Sequence, residues 1–422
     1  MKRGRRFWLG AGGAAALAVP AGAWFAYGYD PPVPVGPRGA LRPDPAGIFD
    51  LLEGFTYRVI DRAGREMSDG FPVPVRPDGM ACFPADDGAL ILMRNHELPS
   101  GSRERAYGRS WPSGAYDAEA GGGVTRLVLD AQTLEVRSSN LVLAGTSMNC
   151  SGGASPWGWI SCEEDPRDPI HGFAFLCDPA ATELQPFDRI DGYGRFKHEA
   201  AGVVPDTGVC YLTEDQGDGC LYRFVPHDPS SPFEGTLQAM RVRGRAAASL
   251  APLTTGAERE IDWVDLPHPT PEEDTLRFTA QRAGAAILRR GEGICLAGGA
   301  IYVCSTTGGP ISSGQIFRLQ DDTDGGTLEV ITASTDRAVM DMPDNIAASP
   351  SGHIYFVEDG RGHDLLRCVR TDGRVVAIGQ NAGSEGEIAG VCFDATGETC
   401  FLNLQEEGLT LAVRGPFADL HA

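Results

Sequence analysis

The sequence GRFKHEAAGVVPDTGVCYLTEDQGDGCLYRF, residues 194–224, decides the fold. Ala200–Val204 and Val209–Thr213 are short apolar segments, and Pro205-Asp206-Thr207-Gly208 between them places Pro and Gly at turn positions. This pattern predicts a β-hairpin. Because hairpin strands are antiparallel, the flanking pairs His198-Glu199 and Glu214-Asp215 are expected at the same end.

Five further segments repeat this pattern, with a polar group before an apolar run, a turn, and a polar group after it. The six units open and close, in chain order, at Asp78-Gly79-Met80 and Arg94-Asn95-His96-Glu97; Asn149-Cys150 and Cys162-Glu163-Glu164; His198-Glu199 and Glu214-Asp215; Glu292-Gly293 and Ser305-Thr306; Asp344-Asn345 and Glu358-Asp359; and Glu385 with Glu387 and Asn403-Leu404-Gln405. An internal repeat of short strands is typical of a propeller. The sequence therefore predicts an all-β fold, a six-bladed β-propeller over residues 71–416.

The acidic ends of these hairpins point to a metal site. The blades of a propeller are radial, so equivalent hairpin ends converge on one mouth of the central channel. Carboxylates at close range raise one another's pKa and oppose folding. We therefore expect bound multivalent cations at this mouth.

The N-terminal region is typical of an export signal. Met1–Ala26 has a basic start, an apolar Gly/Ala-rich run and the small-residue triplet Ala21-Gly22-Ala23. Arg5-Arg6-Phe7-Trp8-Leu9 matches a twin-arginine signal, which directs folded proteins to export; an uncleaved membrane anchor is the alternative. Residues 27–70 are interpreted as a Pro-rich lead-in.

Composition narrows the possible partners. The formal net charge is −21, with 57 Asp and Glu against 36 Lys and Arg. Nucleic-acid binding needs clustered Lys and Arg, so this class of partner is excluded, whereas the acidic balance suits Ca²⁺. We expect one large domain and a monomer.

Eleven cysteines are present, and their settings differ. Five lie inside apolar runs typical of buried core: Cys177, Cys210, Cys295, Cys304 and Cys368. Cys392 and Cys400 flank a turn and are possible cross-strand neighbours. Cys150 stands at a hairpin opening before small residues, where a thiolate can bind a metal; core packing is the alternative reading.

Residues 225–290 are interpreted as an insertion between blades three and four. Thr270-Pro271-Glu272-Glu273 has the pattern of a helix start, so we predict a helix over Pro271–Leu288. It would end at Arg289-Arg290, directly before Glu292. Either arginine is a candidate for contact with an anionic substrate, or for a role limited to the helix dipole.

Several motifs resemble those of the PhoX-type alkaline phosphatases. They extend over about residues 71–416: Arg94-Asn95-His96-Glu97; Gly121-Gly122-Gly123-Val124-Thr125; Thr146-Ser147-Met148-Asn149-Cys150-Ser151-Gly152-Gly153 with Cys162-Glu163-Glu164; Gly194-Arg195-Phe196-Lys197-His198-Glu199-Ala200; Thr213-Glu214-Asp215; Gly291-Glu292-Gly293; and residues 387–405.

This resemblance implies an exported hydrolase of small phosphate esters that holds iron and calcium in the channel. It implies Cys150 as an iron ligand, with Glu199 and Glu292 as its carboxylate partners; with Arg290 they make up the expected catalytic set. The other implied ligands are Asn95, Glu97, Glu163, Glu164, Glu214, Asp215, Asp344 and Glu387. The implied location is the periplasm or the extracellular space, reached through the twin-arginine machinery.

Two other functions stay open at this point. A calcium-dependent lactonase or esterase can use a six-bladed channel and has no need of Cys150. A non-catalytic binding propeller needs the acidic mouth only for structural calcium.

Overall fold

The computed structural model describes residues 33–36, 39–85, 87–109, 111–322 and 324–421. The predicted signal over Met1–Ala26 lies outside them. In chain order the strands are β1 (Phe49–Leu51), β2 (Thr56–Arg62), β3 (Pro77–Pro84), β4 (Ala89–His96), β5 (Gly122–Asp130), β6 (Val136–Thr146), β7 (Asn149–Ser155), β8 (Gly158–Glu163), β9 (Ala174–Cys177), β10 (Arg189–Ile190), β11 (His198–Val203), β12 (Cys210–Glu214), β13 (Leu221–Pro226), β14 (Gly235–Val242), β15 (Glu258–Asp265), β16 (Gly291–Ala297), β17 (Ala300–Ser305), β18 (Gln315–Asp322), β19 (Gly325–Ala333), β20 (Pro343–Ala348), β21 (Ile354–Glu358), β22 (Leu365–Val369), β23 (Val375–Asn381), β24 (Ile388–Phe393), β25 (Thr399–Leu404) and β26 (Leu409–Arg414). One α-helix, α1 (Leu276–Arg282), and two short 3₁₀ helices, Asp191–Tyr193 and Phe417–His421, complete the described elements.

The strands form antiparallel sheets arranged as an all-β propeller. Within the described ranges there are five sheets, in the hydrogen-bonding orders β3-β4-β5-β6, β7-β8-β9-β10, β11-β12-β13-β14-β15-β19-β18-β17-β16, β1-β23-β22-β21-β20 and β2-β26-β25-β24. The predicted all-β propeller is confirmed. The structure differs from six separate sheets because β15 pairs with β14 along one half and with β19 along the other, which joins two four-stranded meanders into one nine-stranded sheet.

The opening hairpin forms as the sequence indicates. Strands β11 and β12 pair antiparallel, with His198 opposite Glu214 and Val203 opposite Cys210. In the turn, the amide of Gly208 donates to the carbonyl of Val204 at 2.9 Å, and Gly208 has a φ of +71°, which glycine adopts without strain. The predicted strands are thus correct to within one or two residues.

Six first strands, β3, β7, β11, β16, β20 and β24, form a closed ring in which each contacts the next and β24 contacts β3. Glycines permit this close approach. A Cβ on Gly153 of β7 would lie 1.7 Å from the carbonyl oxygen of Ala201 on β11, and one on Gly390 of β24 would lie 2.2 Å from that of Asp78 on β3. Hydrophobic clusters fill the spaces between neighbouring groups of strands.

The segment expected as a lead-in supplies two strands of the sheets. Strand β1 pairs with β23, and β2 pairs with the last strand, β26. A buried ion pair strengthens this closure, because the Arg94 guanidinium on β4 donates to Asp61 on β2 at 2.9 Å and to Thr410 on β26 at 2.6 Å. The ring is therefore closed by residues from both ends of the propeller.

The helical insertion is smaller than predicted. Strands β14 and β15 occupy much of residues 225–290, and α1 has only seven residues instead of spanning Pro271–Leu288. The carbonyls of Pro271 and Glu272 accept hydrogen bonds from the Arg195 guanidinium, each at 3.1 Å. Gly284, at φ +99°, follows Ala283, the C-cap of the helix. None of the described helices is long and apolar enough to span a membrane.

The register also decides whether Cys392 and Cys400, the possible cross-strand neighbours, can pair. Cys392 is opposite Phe401 and Cys400 is opposite Phe393, so the two thiols point to opposite faces of the sheet. They pack in different hydrophobic clusters. A disulfide between them is excluded by this alternation.

The ring of first strands leads to a stability prediction. We expect Gly153→Ala to lower the free energy of unfolding by about 3 kcal/mol or more, because the new methyl group meets the Ala201 carbonyl instead of a side chain that can move. Urea unfolding followed by circular dichroism measures this change. Gly217→Ala is the matched control, since no atom lies within 4 Å of its added Cβ. Equal unfolding midpoints for the two variants would contradict the close approach.

Candidate metal centre

Each hairpin of the ring ends in the same hydrogen bond. The residue after the second strand donates its amide to the carbonyl of the residue before the first strand, at 2.9 to 3.2 Å. The six pairs are Glu97 to Arg76, Glu164 to Met148, Asp215 to Lys197, Thr306 to Arg290, Asp359 to Met342 and Gln405 to Glu387. Arg76, Met148, Arg290 and Met342 all have φ between 44° and 53°. The repeat in the sequence is therefore a repeat of backbone geometry.

A bulge near the start of each first strand brings a polar side chain toward this end. The strand register shifts once, directly after the first pair in five of the six hairpins. In each of these five hairpins, the first strand has its first bulge residue directly after that pair. These bulge residues are Asp78, Cys150, Glu199, Glu292 and Asp344. Bulges are common beside active sites because they re-aim a side chain without ending the strand.

Two groups of possible metal ligands result. The ligand atoms of Glu97, Cys150 and Glu164 all lie within 4.8 Å of one another, as do those of Glu199, Glu292 and Asp344. Each group combines residues of different hairpins. The structure thus brings together six of the residues singled out from the sequence.

Asp78 and Gln405 connect to the first group. The Cys150 thiol lies 3.8 Å from Asp78 Oδ2, and the Gln405 amide donates to the same oxygen at 2.6 Å and to Glu97 Oε2 at 3.1 Å. Asp78 is fully buried. It therefore belongs to the same cluster as the predicted ligands.

Cationic side chains lie against the acidic ones. Lys197 Nζ is 2.7 Å from both Glu164 and Asp215, and Arg290 contacts Asp215 at 2.7 Å and Glu292 at 2.9 Å. Lys197 and Arg290 remain a quarter to a third exposed. They therefore sit where the cluster meets solvent.

The cluster is buried and has more acidic side chains than cationic ones, and this raises the pKa of several of its carboxyl groups. Burial, followed by the charges of neighbouring carboxylates, raises the pKa of Glu199 and Glu292 well above the usual range, and burial raises that of Asp344 to about 6. Burial and the surrounding carboxylates likewise raise the pKa of the Cys150 thiol. Asp215 differs: burial opposes its ionisation, but Glu164, Lys197 and Arg290 together lower its pKa.

Unpartnered oxygens mark where a cation fits. In the described part of the chain, neither carboxylate oxygen of Glu199 has a hydrogen-bond partner, nor does Asp78 Oδ1. Burying a carboxylate without a partner is costly, and coordination to a metal removes that cost. A thiol and several carboxylates form a donor set that suits multivalent cations.

Five predicted ligands lie outside both groups, and two of these, Glu163 and Glu214, are held by hydrogen bonds away from the cluster. Glu163 accepts hydrogen bonds from His171 at 2.7 Å and from backbone amides, including Ser147 at 2.8 Å. Glu214 accepts from the Tyr222 hydroxyl at 2.7 Å. Each is the last residue of its strand, so its side chain points away from that of the next residue, which joins the cluster.

Asn95 supports the cluster from behind. Its side-chain amide donates to the carbonyls of Cys150 at 3.1 Å and Ser151 at 2.6 Å, and its carbonyl accepts from Trp159 at 2.8 Å. It therefore holds the bulge that carries Cys150.

His198 donates to the Gly194 carbonyl at 3.1 Å, and burial lowers its pKa to about 3, so it is neutral.

Glu387 and Asp359 border the second group. Burial, then Asp78 and Asp344, raises the pKa of Glu387 well above its usual range, and burial and Asp344 raise that of Asp359 to about 7. Glu387 was predicted from the sequence. Asp359 was noted only as a hairpin end.

Sequence reasoning left out four site residues: Asp78, Lys197, Gln405 and Arg76, whose guanidinium lies 2.7 Å from Glu97. A usable signal existed for Asp78, which opens its hairpin as Cys150 and Glu199 open theirs. Arg76 and Lys197 directly precede first strands, the position that Arg290 also occupies. Comparing equivalent positions of the six hairpins, instead of residue types alone, identifies all three.

Comparisons with known proteins place this geometry in a family. No curated protein sequence matches the chain. Among solved structures, a gluconolactonase from Xanthomonas campestris is 14% identical, with 90% of this chain and 99% of that chain covered and a TM-score of 0.43. Pseudomonas fluorescens PhoX in complex with vanadate, a transition state analogue, is 17% identical, with 87% and 96% covered and a TM-score of 0.70. The family model described as alkaline phosphatase PhoX matches residues 37–142 and 130–408, and the chain therefore belongs to the PhoX family of alkaline phosphatases.

Proposed function

We propose that this chain is an exported, metal-dependent phosphatase that hydrolyses small phosphate esters at an iron and calcium cluster in the propeller channel. The observation that carries the proposal is the grouping of Cys150 with buried carboxylates from several hairpins. Family membership supports the phosphatase class. The signal over Met1–Ala26 and the twin-arginine route stay part of this proposal, as does the monomeric state.

We infer that the propeller has six blades, with blades three and four fused through β15. Three features support this count. Both β11 to β14 and β16 to β19 are four-stranded meanders, the ring contains six first strands, and a hydrophobic cluster lies at each of the six junctions between meanders. The propeller then begins with β1, before residue 71.

The possible ligand atoms are of two kinds, a soft thiol sulfur and hard carboxylate oxygens. Thiolate suits iron, and hard oxygen ligands suit calcium. The family resemblance implies that Cys150 would hold iron with Glu199 and Glu292, and the charge of Glu199 does act on the Cys150 thiol. The other channel-facing carboxylates would be shared among the ions: Asp78, Glu97, Glu164, Asp215, Asp344 and Glu387. When bound, such ions supply Lewis-acid stabilisation of phosphoryl oxygens.

The protein's own cations orient the substrate. Arg290 offers several N–H donors in a fixed plane, which matches the oxygens of a phosphate group. It already spans Asp215 and Glu292 across the cluster. The Arg290 guanidinium would hold the non-bridging oxygens of the ester if bound cations took over Asp215 and Glu292 as ligands.

The thiol is the first test. We expect Cys150→Ser to lose iron and to lower hydrolysis of p-nitrophenyl phosphate by about a thousandfold or more, because a hydroxyl does not replace a thiolate as a soft ligand. Elemental analysis and steady-state kinetics measure both effects. Cys177→Ser is the control, since Cys177 is buried in the core between β8 and β10 and should change only stability. Full activity of Cys150→Ser would reject the iron site.

The side chains of Glu163, the last residue of β8, and Glu164, the next residue, point in opposite directions, so the two give a matched pair of variants. We expect Glu164→Gln to reduce metal content and kcat, because Glu164 lies within 4.8 Å of Glu97 and Cys150. Glu163→Gln, one residue away, should keep its metals and lower only the unfolding temperature, because its oxygens already accept hydrogen bonds from His171 and backbone amides. Loss of metal in Glu163→Gln with retention in Glu164→Gln would reverse the assignment.

Arg290 can be tested against its neighbour. We expect Arg290→Gln to lower kcat/KM by about 10²- to 10³-fold, the cost of removing one charged donor to a phosphoryl group. Arg289→Gln should leave kcat/KM within about twofold, because the contact to the hairpin at Arg289 is through its backbone carbonyl, which accepts from Ser305. Elemental analysis must show unchanged metal content in both variants; equal kinetics would remove Arg290 from the substrate site.

A further inference from the structure

Two cysteines face each other across the junction between the first and last sheets of the ring. Cys82 lies on β3 and Cys392 lies on β24, and these two first strands contact one another where the ring closes. Both residues line one cavity of about 260 Å³, formed by the six first strands beyond their bulges. The two thiols therefore share a single space.

Strand alternation places their side chains on facing surfaces. Met80 and Cys82 are two residues apart on β3, so they share one face of the first sheet. Cys392 is opposite Phe401, so these two share one face of the last sheet. Met80, Cys82, Cys392 and Phe401 all pack in the same hydrophobic cluster between the two sheets.

Cys400, which lies in the same sheet as Cys392, cannot bond to the Cys392 thiol. Cys400 points to the other face and packs in a different cluster, as described above. Cys82 is also accessible. Among the eleven cysteines, all within the described residues, Cys82 and Cys150 are half-buried and the others are buried. Cys82 is therefore the more exposed thiol of the two, and an external oxidant would meet it first.

From this placement we propose that Cys82 and Cys392 form a disulfide bond that joins the first sheet of the propeller to the last. Both are free thiols in the structure. The bond would close a ring that is otherwise held there by β2, by the Arg94 ion pair and by apolar packing. It would form in the oxidising compartment that an exported protein enters.

The reaction requires an external disulfide such as oxidised glutathione. The Cys82 thiolate attacks one of its sulfurs, forms a mixed disulfide and releases one glutathione thiolate; the Cys392 thiolate then attacks the Cys82 sulfur and releases the second. The two protein thiols lose two protons and two electrons, and the oxidant is reduced to two thiols. Burial raises the pKa of Cys82 to about 12, so the reaction should accelerate about tenfold per pH unit around pH 8.

The test uses the metal-loaded full chain, reduced and then treated with oxidised glutathione at several pH values. Remaining thiols are alkylated, and peptide mass spectrometry identifies cross-linked pairs. We expect a peptide joining Cys82 to Cys392, a mass loss of two hydrogens, and a rise in the unfolding temperature of about 3 °C or more. Cys400→Ser is the matched control and should retain the cross-link.

Cys82→Ser and Cys392→Ser should each abolish the cross-link and the rise in unfolding temperature. A folded, active wild-type chain in which both thiols stay alkylatable would overturn the proposal. So would a stable glutathione adduct on Cys82, because it would show that Cys392 cannot reach the sulfur. Because mapping of the wild-type chain suffices, the result does not depend on the folding of a variant or on the metal assignment.

Discussion

Mutual repulsion among buried acidic side chains is the constraint on which the functional end of this propeller depends. Asp78, Glu199 and Glu292 are almost completely buried, and in the described structure several of their oxygens have no hydrogen-bond donor. Arg290 and Lys197 balance only part of this charge, since both remain partly exposed and share the same partner, Asp215. Either bound cations or protonation can relieve this repulsion, and the raised pKa values of Glu199 and Glu292 correspond to protonation when no cation is bound.

Much of the fold could be predicted because it repeats. Hairpins of similar length, each with a polar opening and closing residue, identified an all-β propeller and the strands β11 and β12 to within one or two residues. The site was predicted as a set for the same reason. Within the set, residue type alone could not distinguish Glu163 from Glu164, because both are glutamates. Only the strand register, in which Glu163 is opposite Asn149, shows which of the two side chains points toward the cluster.

Other features depend on contacts between distant parts of the chain, which a local pattern does not contain. Strand β15 joins two meanders by pairing with β14 and β19, so the blade count is hidden in one sheet. The expected helix was shortened because the Arg195 guanidinium holds carbonyls that its first turn would use. The four residues of the motif Arg94-Asn95-His96-Glu97 have four different roles. Arg94 closes the ring, Asn95 holds the Cys150 bulge, His96 bonds Thr125, and Glu97 alone joins the metal group.

The pairing of β2 with β26 has a consequence for how the protein is made. Strand β2 leaves the ribosome early and must stay without its partner until β26, the last of the described strands, has been synthesised. Gln405, which holds Asp78 and Glu97 in place, emerges at that same late stage. The acidic cluster is therefore completed only when the last described strands have been synthesised, so its final geometry is set late in the making of the chain.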